Sequence, residues 1–134
     1  MQIDTKMVVE SDASKVFEAI VDPEQIGGFW FSSSSERWET GKTVTVEYKE
    51  YDAVINLDIT KVVPNELIEF KWDGRTIVIS FEEESGQTLV TATEKGLDDN
   101  NVDFILGQKE GWVYMLSCLK SYVEFGNKIR AALR

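Results

Sequence analysis

Two hydrophobic periods run along the chain, and their order predicts an α+β fold. Between Thr43 and Thr93 apolar residues recur at every second position. Val44, Val46 and Tyr48 alternate with Thr45 and Glu47, and Ile55, Leu57 and Ile59 with Asn56, Asp58 and Thr60. Ile68, Phe70 and Trp72 alternate with Glu69 and Lys71; Ile77, Ile79 and Phe81 with Val78, Ser80 and Glu82; Val90 and Ala92 with Thr91 and Thr93. A period of two turns one face of each strand to a core and the other to water. The breaks at Pro64-Asn65, Asp73-Gly74 and Ser85-Gly86 are short turn sequences, so the strands follow one another antiparallel. Ile3–Val9 adds a strand at the start, giving about six.

From about Gln108 the period lengthens. Trp112, Met115, Leu116, Leu119, Tyr122 and Val123 share one face at 3.6 residues per turn, with Ser117, Lys120, Glu124 and Lys128 opposite. A helix of about 24 residues, ~36 Å long, crosses a small sheet. The Asp- and Asn-rich stretch 96–107 links the last strand to it, and the pattern leaves Val102–Leu106 open between linker and helix. After the first strand, Ser11-Asp12 offers an N-cap to a helix carrying Val16, Phe17 and Ile20. Asp22-Pro23 ends it, Pro23 opens a second short helix through Ile26, and Gly27-Gly28 breaks that one. Phe29-Trp30-Phe31 is too apolar for a free loop and is expected to fold inward, while Ser32–Ser35 form a solvated connector. Nothing repeats, and one domain over 1–134 is expected.

Composition narrows the chemistry. The 134 residues are 43% hydrophobic and 28% charged, an ordinary globular balance. There is no histidine, which excludes Ser-His-Asp and Cys-His catalysis and imidazole-built zinc sites. Cys118 is the only cysteine, so no internal disulfide forms; a reducing, cytoplasmic setting is expected. No apolar run spans a bilayer, and the N-terminus does not read as a signal peptide. Acidic residues exceed basic ones by 24 to 14, and the net charge of −10 disfavours nucleic acid and anionic membranes. Neither metal nor cofactor is expected: Glu82-Glu83-Glu84 lacks the alternating ligands of a calcium loop and reads as a solvated strand end.

Five local motifs lie in the order of a known superfamily. They are Asp22-Pro23-Glu24 with Phe29-Trp30; Trp38-Glu39-Thr40-Gly41-Lys42; the hairpin from Ile59 to Trp72; Gly86–Thr91 with Glu94-Lys95-Gly96-Leu97; and Gly111-Trp112 with Leu116 and Leu119. Together they resemble the SRPBCC or START-like (birch-pollen-allergen) superfamily. Within it they resemble the AHSA1-like branch, named for the activator of the heat-shock protein 90 ATPase. The resemblance covers nearly the whole chain. It implies the helix-grip fold, a curved antiparallel sheet wrapped around the long C-terminal helix. Relatives often carry histidine where this chain has Glu94, so a histidine-based activity does not transfer.

In that fold the space between sheet and helix is either packed solid or left as a cavity. The residues placed to line it are Trp30, Val46, Tyr48, Ile59, Phe70, Trp72, Ile79, Phe81, Trp112, Met115, Leu116 and Leu119. Aromatic walls with a few polar groups suit a small, mostly apolar ligand; interdigitated core is the alternative. Glu94 shares the buried side of its strand with Val90 and Ala92. There it would hold a ligand hydroxyl or act in acid–base chemistry, whereas its place near the strand end favours a side chain that reaches water. Asp58 and Arg75 are expected at the surface, and Cys118 as a small buried hydrophobe. The segments Gly27–Ser35 and Gly96–Gly107 flank the mouth as candidate gates. The leading function is therefore binding of a small hydrophobic or amphipathic ligand. Behind it stand a cyclase- or dehydratase-type enzyme using Glu94 with Tyr48 or a water, and a co-chaperone-like module with a protein partner. Monomer and homodimer are both open.

Overall fold

The computed structural model describes residues 1–131. Seven strands form one antiparallel sheet in the order β1-β7-β6-β5-β4-β3-β2. They are β1 (Ile3–Val9), β2 (Ser33–Ser34), β3 (Thr43–Tyr48), β4 (Ala53–Val63), β5 (Leu67–Trp72), β6 (Arg75–Glu84) and β7 (Gln87–Lys95). Helix α1 (Ala13–Val21) follows β1, and the long helix α2 (Val102–Phe125) follows β7. This is the helix-grip architecture, with the curved sheet closed around α2.

Local chemistry explains the connections. Asp12 caps α1 by accepting from the Lys15 amide at 2.8 Å. The β5–β6 turn places Asp73 and Gly74 at φ 51° and 77°, and the β6–β7 turn places Ser85 and Gly86 at 53° and 79°. Two successive positive φ angles make the tight hairpin turn whose twist matches the strands it joins. In β4 the pairing with β5 shifts register between Ile59 and Lys61, so Thr60 and Lys61 both face water. Such a bulge bends a strand and strengthens its twist. The one distant pairing is β1 with β7, running from Ile3↔Glu94 to Val9↔Thr88. It ties the start of the chain beside the strand that leads into α2.

Four expectations change. The seventh strand is β2: the backbone beside the serines pairs with β3, Ser32 N–H to Glu47 O at 2.7 Å and Ser35 N–H to Thr45 O at 2.8 Å. The second short helix is a single 3-10 turn, Ile26–Gly28, which runs through the glycines instead of stopping before them. Helix α2 begins at Val102, where the Asn101 side chain accepts from the Phe104 amide, and ends at Gly126, whose φ is 70°. Lys128 therefore lies beyond the helix.

The core lies between α2, α1 and the concave face of the sheet. Val44, Val46, Leu57, Ile59, Ile68, Phe70, Ile77, Ile79, Val90 and Ala92 supply the sheet side, all essentially inaccessible to water. Phe17 of α1 meets Phe81 edge-on at 5.8 Å. Gly28 marks the tightest approach: a Cβ built there would lie 2.5 Å from the Tyr122 ring of α2. Gly28→Ala is therefore expected to destabilise the fold by about 1–3 kcal/mol, as overpacking does. The shift of the urea midpoint measures it, and an unchanged midpoint would mean that the Tyr122 ring swings aside at no cost.

Candidate functional site

A cavity of about 370 Å³ opens between the outer half of the sheet and the first turns of α2. Trp30, Tyr48, Tyr51, Ala53, Ile55 and Trp72 line one side; Gly107, Gln108, Gly111, Trp112, Tyr114 and Met115 of α2 line the other. Of the residues placed there from sequence, Trp30, Tyr48, Trp72, Trp112 and Met115 reach its wall. Val46, Ile59, Phe70, Ile79, Phe81, Leu116 and Leu119 are buried in the core and do not. The space is thus partly packed and partly open: Leu116 and Leu119 of α2 are buried in the core, and the region beside the end of β3, the start of β4 and the end of β5 does not close. Tyr51 and Ala53 escape the sequence pattern because a 3-10 turn (Lys49–Tyr51) interrupts the alternation before β4, whereas Ile55 reads as an inward strand position with nothing to mark it as cavity wall. Gly107, Gln108 and Gly111 were missed because a glycine or glutamine on a helix carries no hydrophobic signal.

Aromatic rings build the wall as a connected set. Trp30 stacks on Phe31 at 4.5 Å and meets Trp112 at 5.8 Å. Phe31 meets Tyr48 edge-on at 5.1 Å and Trp72 at 5.6 Å, and Tyr48 meets Tyr51 at 4.9 Å. Phe29-Trp30-Phe31 does fold inward, and these three residues are almost fully buried. Rings in edge and offset contact hold one another in place, so this wall is stiff. Burial pushes the Tyr48 phenol up to about 12, with Tyr51 and Glu50 adding to the shift. At neutral pH the cavity therefore presents Tyr48 as a neutral hydroxyl.

Behind the wall lies a buried carboxylate. Glu94 is fully inaccessible, so the expectation that it reaches water is overturned. Its place on the inward face of β7 puts it beneath α2, not at an open end. Oε1 accepts from Trp112 Nε1 at 2.7 Å and Gln108 Nε2 at 3.0 Å; Oε2 accepts from Arg75 Nε at 2.5 Å and Gln108 Nε2 at 3.1 Å. Arg75 is likewise not a plain surface residue: its side chain is 15% exposed and its guanidinium lies 5.0 Å from the Phe104 ring centroid. β6, β7 and α2 are thus joined at one carboxylate, whose charge is compensated by a single guanidinium.

The tail fastens the other side of the cavity. Tyr114 donates its hydroxyl hydrogen to Ile129 O at 3.1 Å and accepts from the Ala131 amide at 2.9 Å. Arg130 donates to Ser32 Oγ at 3.1 Å and Gly27 O at 3.4 Å, and pairs with Glu50. Burial pushes Glu50 up, but its own backbone N–H together with Arg130 outweighs this and holds the carboxyl below its usual range. Three segments that flank the cavity, 27–32, 49–51 and α2, are clamped to one another by this strap. The expected gate Gly27–Ser35 is tied down by it, and the second half of the other, 96–107, is the capped start of α2. Cys118 is buried, and that burial raises its thiol's pKa, so it packs as a hydrophobe.

Among the described residues no group of three or more His, Cys, Asp or Glu side chains is placed to hold a metal ion, and no helix is long and apolar enough to cross a membrane.

Two predictions follow from this geometry. Glu94→Gln leaves the Arg75 cation only its exposed partner Asp73, 3.6 Å away, and offers the surrounding donors only one accepting oxygen. It is expected to cost about 3 kcal/mol in urea denaturation; a midpoint equal to wild type would remove the carboxylate from its structural role. Tyr48 ionises near 10 when unfolded and about 12 when folded. Its contribution is complete below pH 10 and is lost as pH rises through 12, because the folded state holds the proton that the unfolded chain releases. Wild type should therefore lose more stability than Tyr48→Phe between about pH 8 and about pH 11. Equal losses would place the phenol in water.

The comparisons agree with this architecture. The family profile described as Activator of Hsp90 ATPase homolog 1-like protein matches residues 10–124. The crystal structure of protein SSP2350 from Staphylococcus saprophyticus is 61% identical, with a TM-score of 0.94 and 98% of each chain covered. The Aha1 dimer from Colwellia psychrerythraea is 20% identical, with a TM-score of 0.84 over 94% of this chain and 98% of that one. DynU16, from the dynemicin biosynthetic locus, is also 20% identical, with a TM-score of 0.85 over 97% of this chain and 49% of its own. At that identity the last two show the fold alone. Comparison with curated proteins gave no match. The chain belongs to the family of Activator of Hsp90 ATPase homolog 1-like proteins, the AHSA1-like branch of the SRPBCC superfamily.

Proposed function

We propose that this protein is a binding module for a small, mostly apolar molecule held between the aromatic wall and α2. One observation carries the reading. Gly107 and Gly111 lie one turn apart inside α2, on the face that lines the cavity, and a Cβ added to either meets no atom within 4 Å. A glycine inside a helix costs roughly 0.5–1 kcal/mol relative to alanine. Elsewhere, as at Gly28, close packing repays such a choice; at 107 and 111 nothing packs. Gly111, half-buried, keeps a side chain out of the cavity, and Gly107, exposed, leaves its mouth open. Its volume suits a compact ring compound, and its walls supply flat apolar area with few polar groups.

The enzyme reading draws little support, because four hydrogen bonds from protein donors already occupy both oxygens of Glu94. The co-chaperone reading draws on the family name, and no feature of this surface singles out such a partner.

Gly111→Leu tests the proposal. Wild type is expected to bind N-phenyl-1-naphthylamine with a blue-shifted rise in its fluorescence. The leucine should fill the cavity and weaken binding at least about tenfold, while thermal stability stays level or rises. Undiminished binding by a folded Gly111→Leu protein would place the dye elsewhere and sink the proposal.

A further inference from the structure

Resting on that cavity reading, we infer that the ligand is an uncharged, flat molecule that donates a hydrogen bond to the side-chain carbonyl of Gln108. The argument begins at Glu94. A carboxylate only accepts, so the Gln108 amide facing it must present its NH₂ group; the reversed amide would set one oxygen against two others. The Gln108 nitrogen lies 3.0 and 3.1 Å from the two carboxylate oxygens, which commits that end. Trp112 and Arg75 hold the carboxylate in turn, at 2.7 and 2.5 Å. The orientation of Gln108 is therefore fixed before any ligand arrives. Its Oε1 accepts no hydrogen bond among the described residues, and Gln108 lines the cavity. The group it offers a ligand is a pre-oriented acceptor.

Charge narrows the class further. None of the twelve residues lining the cavity is Asp, Glu, Lys or Arg. Arg75 and Arg130 are paired with Glu94 and Glu50, and neither lines the cavity. An anionic head group would find no counter-charge, and burying it unpaired is costly. The aromatic faces favour a flat body, and the acceptor favours a hydroxyl or N–H at its edge.

A matched pair of probes separates this from simple hydrophobic binding. 2-Naphthol and 2-methoxynaphthalene share the ring, and both oxygens accept, but only the naphthol donates. The ether is the more apolar, so an unselective cavity favours it. Binding is followed by ¹H–¹⁵N NMR on the amides of Gly107 and Gly111 and on the indole N–H groups of Trp30 and Trp112. The naphthol is expected to bind about tenfold more tightly to wild type. Gln108→Met, which keeps the length and removes the acceptor, should abolish that preference while the ether binds as before. If the ether binds wild type as well as the naphthol, the donor inference fails and the cavity stands. Binding of neither probe overturns both. A naphthol preference that survives in folded Gln108→Met overturns the assignment to Gln108. Should that variant not fold, the order of the two probes on wild type still decides whether a donor is selected.

Discussion

Glu94 sits on the inward face of β7 beneath α2, with no access to water, and it is held by one guanidinium, one indole and one amide. The donors come from two places in the fold. Arg75 starts β6, and Gln108 and Trp112 lie one turn apart near the start of α2. A buried carboxylate is tolerable only when its charge and its lone pairs are all met, so these groups have little freedom to move separately. The register of β6 on β7 brings Arg75 within reach, since Thr76 pairs with Lys95 and Ile77 with Glu94. The β1–β7 pairing places Ile3 across from the same residue. The carboxylate therefore ties the angle at which α2 enters the sheet to the pairing of three strands.

The cavity depends on that arrangement. Trp112 donates to Glu94 through its nitrogen and turns its ring toward Trp30, so one side chain serves both the polar lock and the apolar wall. Gln108 likewise donates to that carboxylate and lines the cavity. At the far side, Tyr114 and Arg130 hold the tail against the segments that carry Trp30 and Tyr51. A stiff wall matters for a glycine-lined space. Left unsupported, neighbouring side chains would relax into the gap, as packed interiors do where they can. The clamps at both ends oppose that collapse.

Much of the fold was legible in the chain because strands and turns announce themselves locally. The alternation from Val44 to Ala92 and the Asp73-Gly74 and Ser85-Gly86 turns follow from side-chain geometry and φ preferences alone. β2 was not legible: two serines paired to Glu47 and Val46 through their backbones leave no side-chain pattern. The start of α2 was blurred because Val102, Phe104 and Leu106 are exposed and do not join the apolar face that defines the rest. Glu94 could be placed on the buried side, yet the sequence could not show its partners, which come from 19 residues upstream and from 14 and 18 downstream. Nor could composition separate cavity from core. Trp30 and Phe70 look alike in sequence, and only the empty space opposite Gly107 and Gly111 makes one of them a wall.

The distribution of charge sets the character of the site. The chain carries −10 overall, yet its acidic residues lie almost entirely on the outer surface, and the lining of the cavity carries none. Glu94, the one fully inaccessible carboxylate among the described residues, is paired locally with Arg75 and bonded by Trp112 and Gln108, which line the cavity. Polarity would enter the site second-hand on the proposed reading: the charge stays behind the wall, and Gln108, which donates to it, lines the cavity. On that reading, such a site would discriminate by shape and by the direction of a hydrogen bond, not by net charge, and a change in salt would barely alter it.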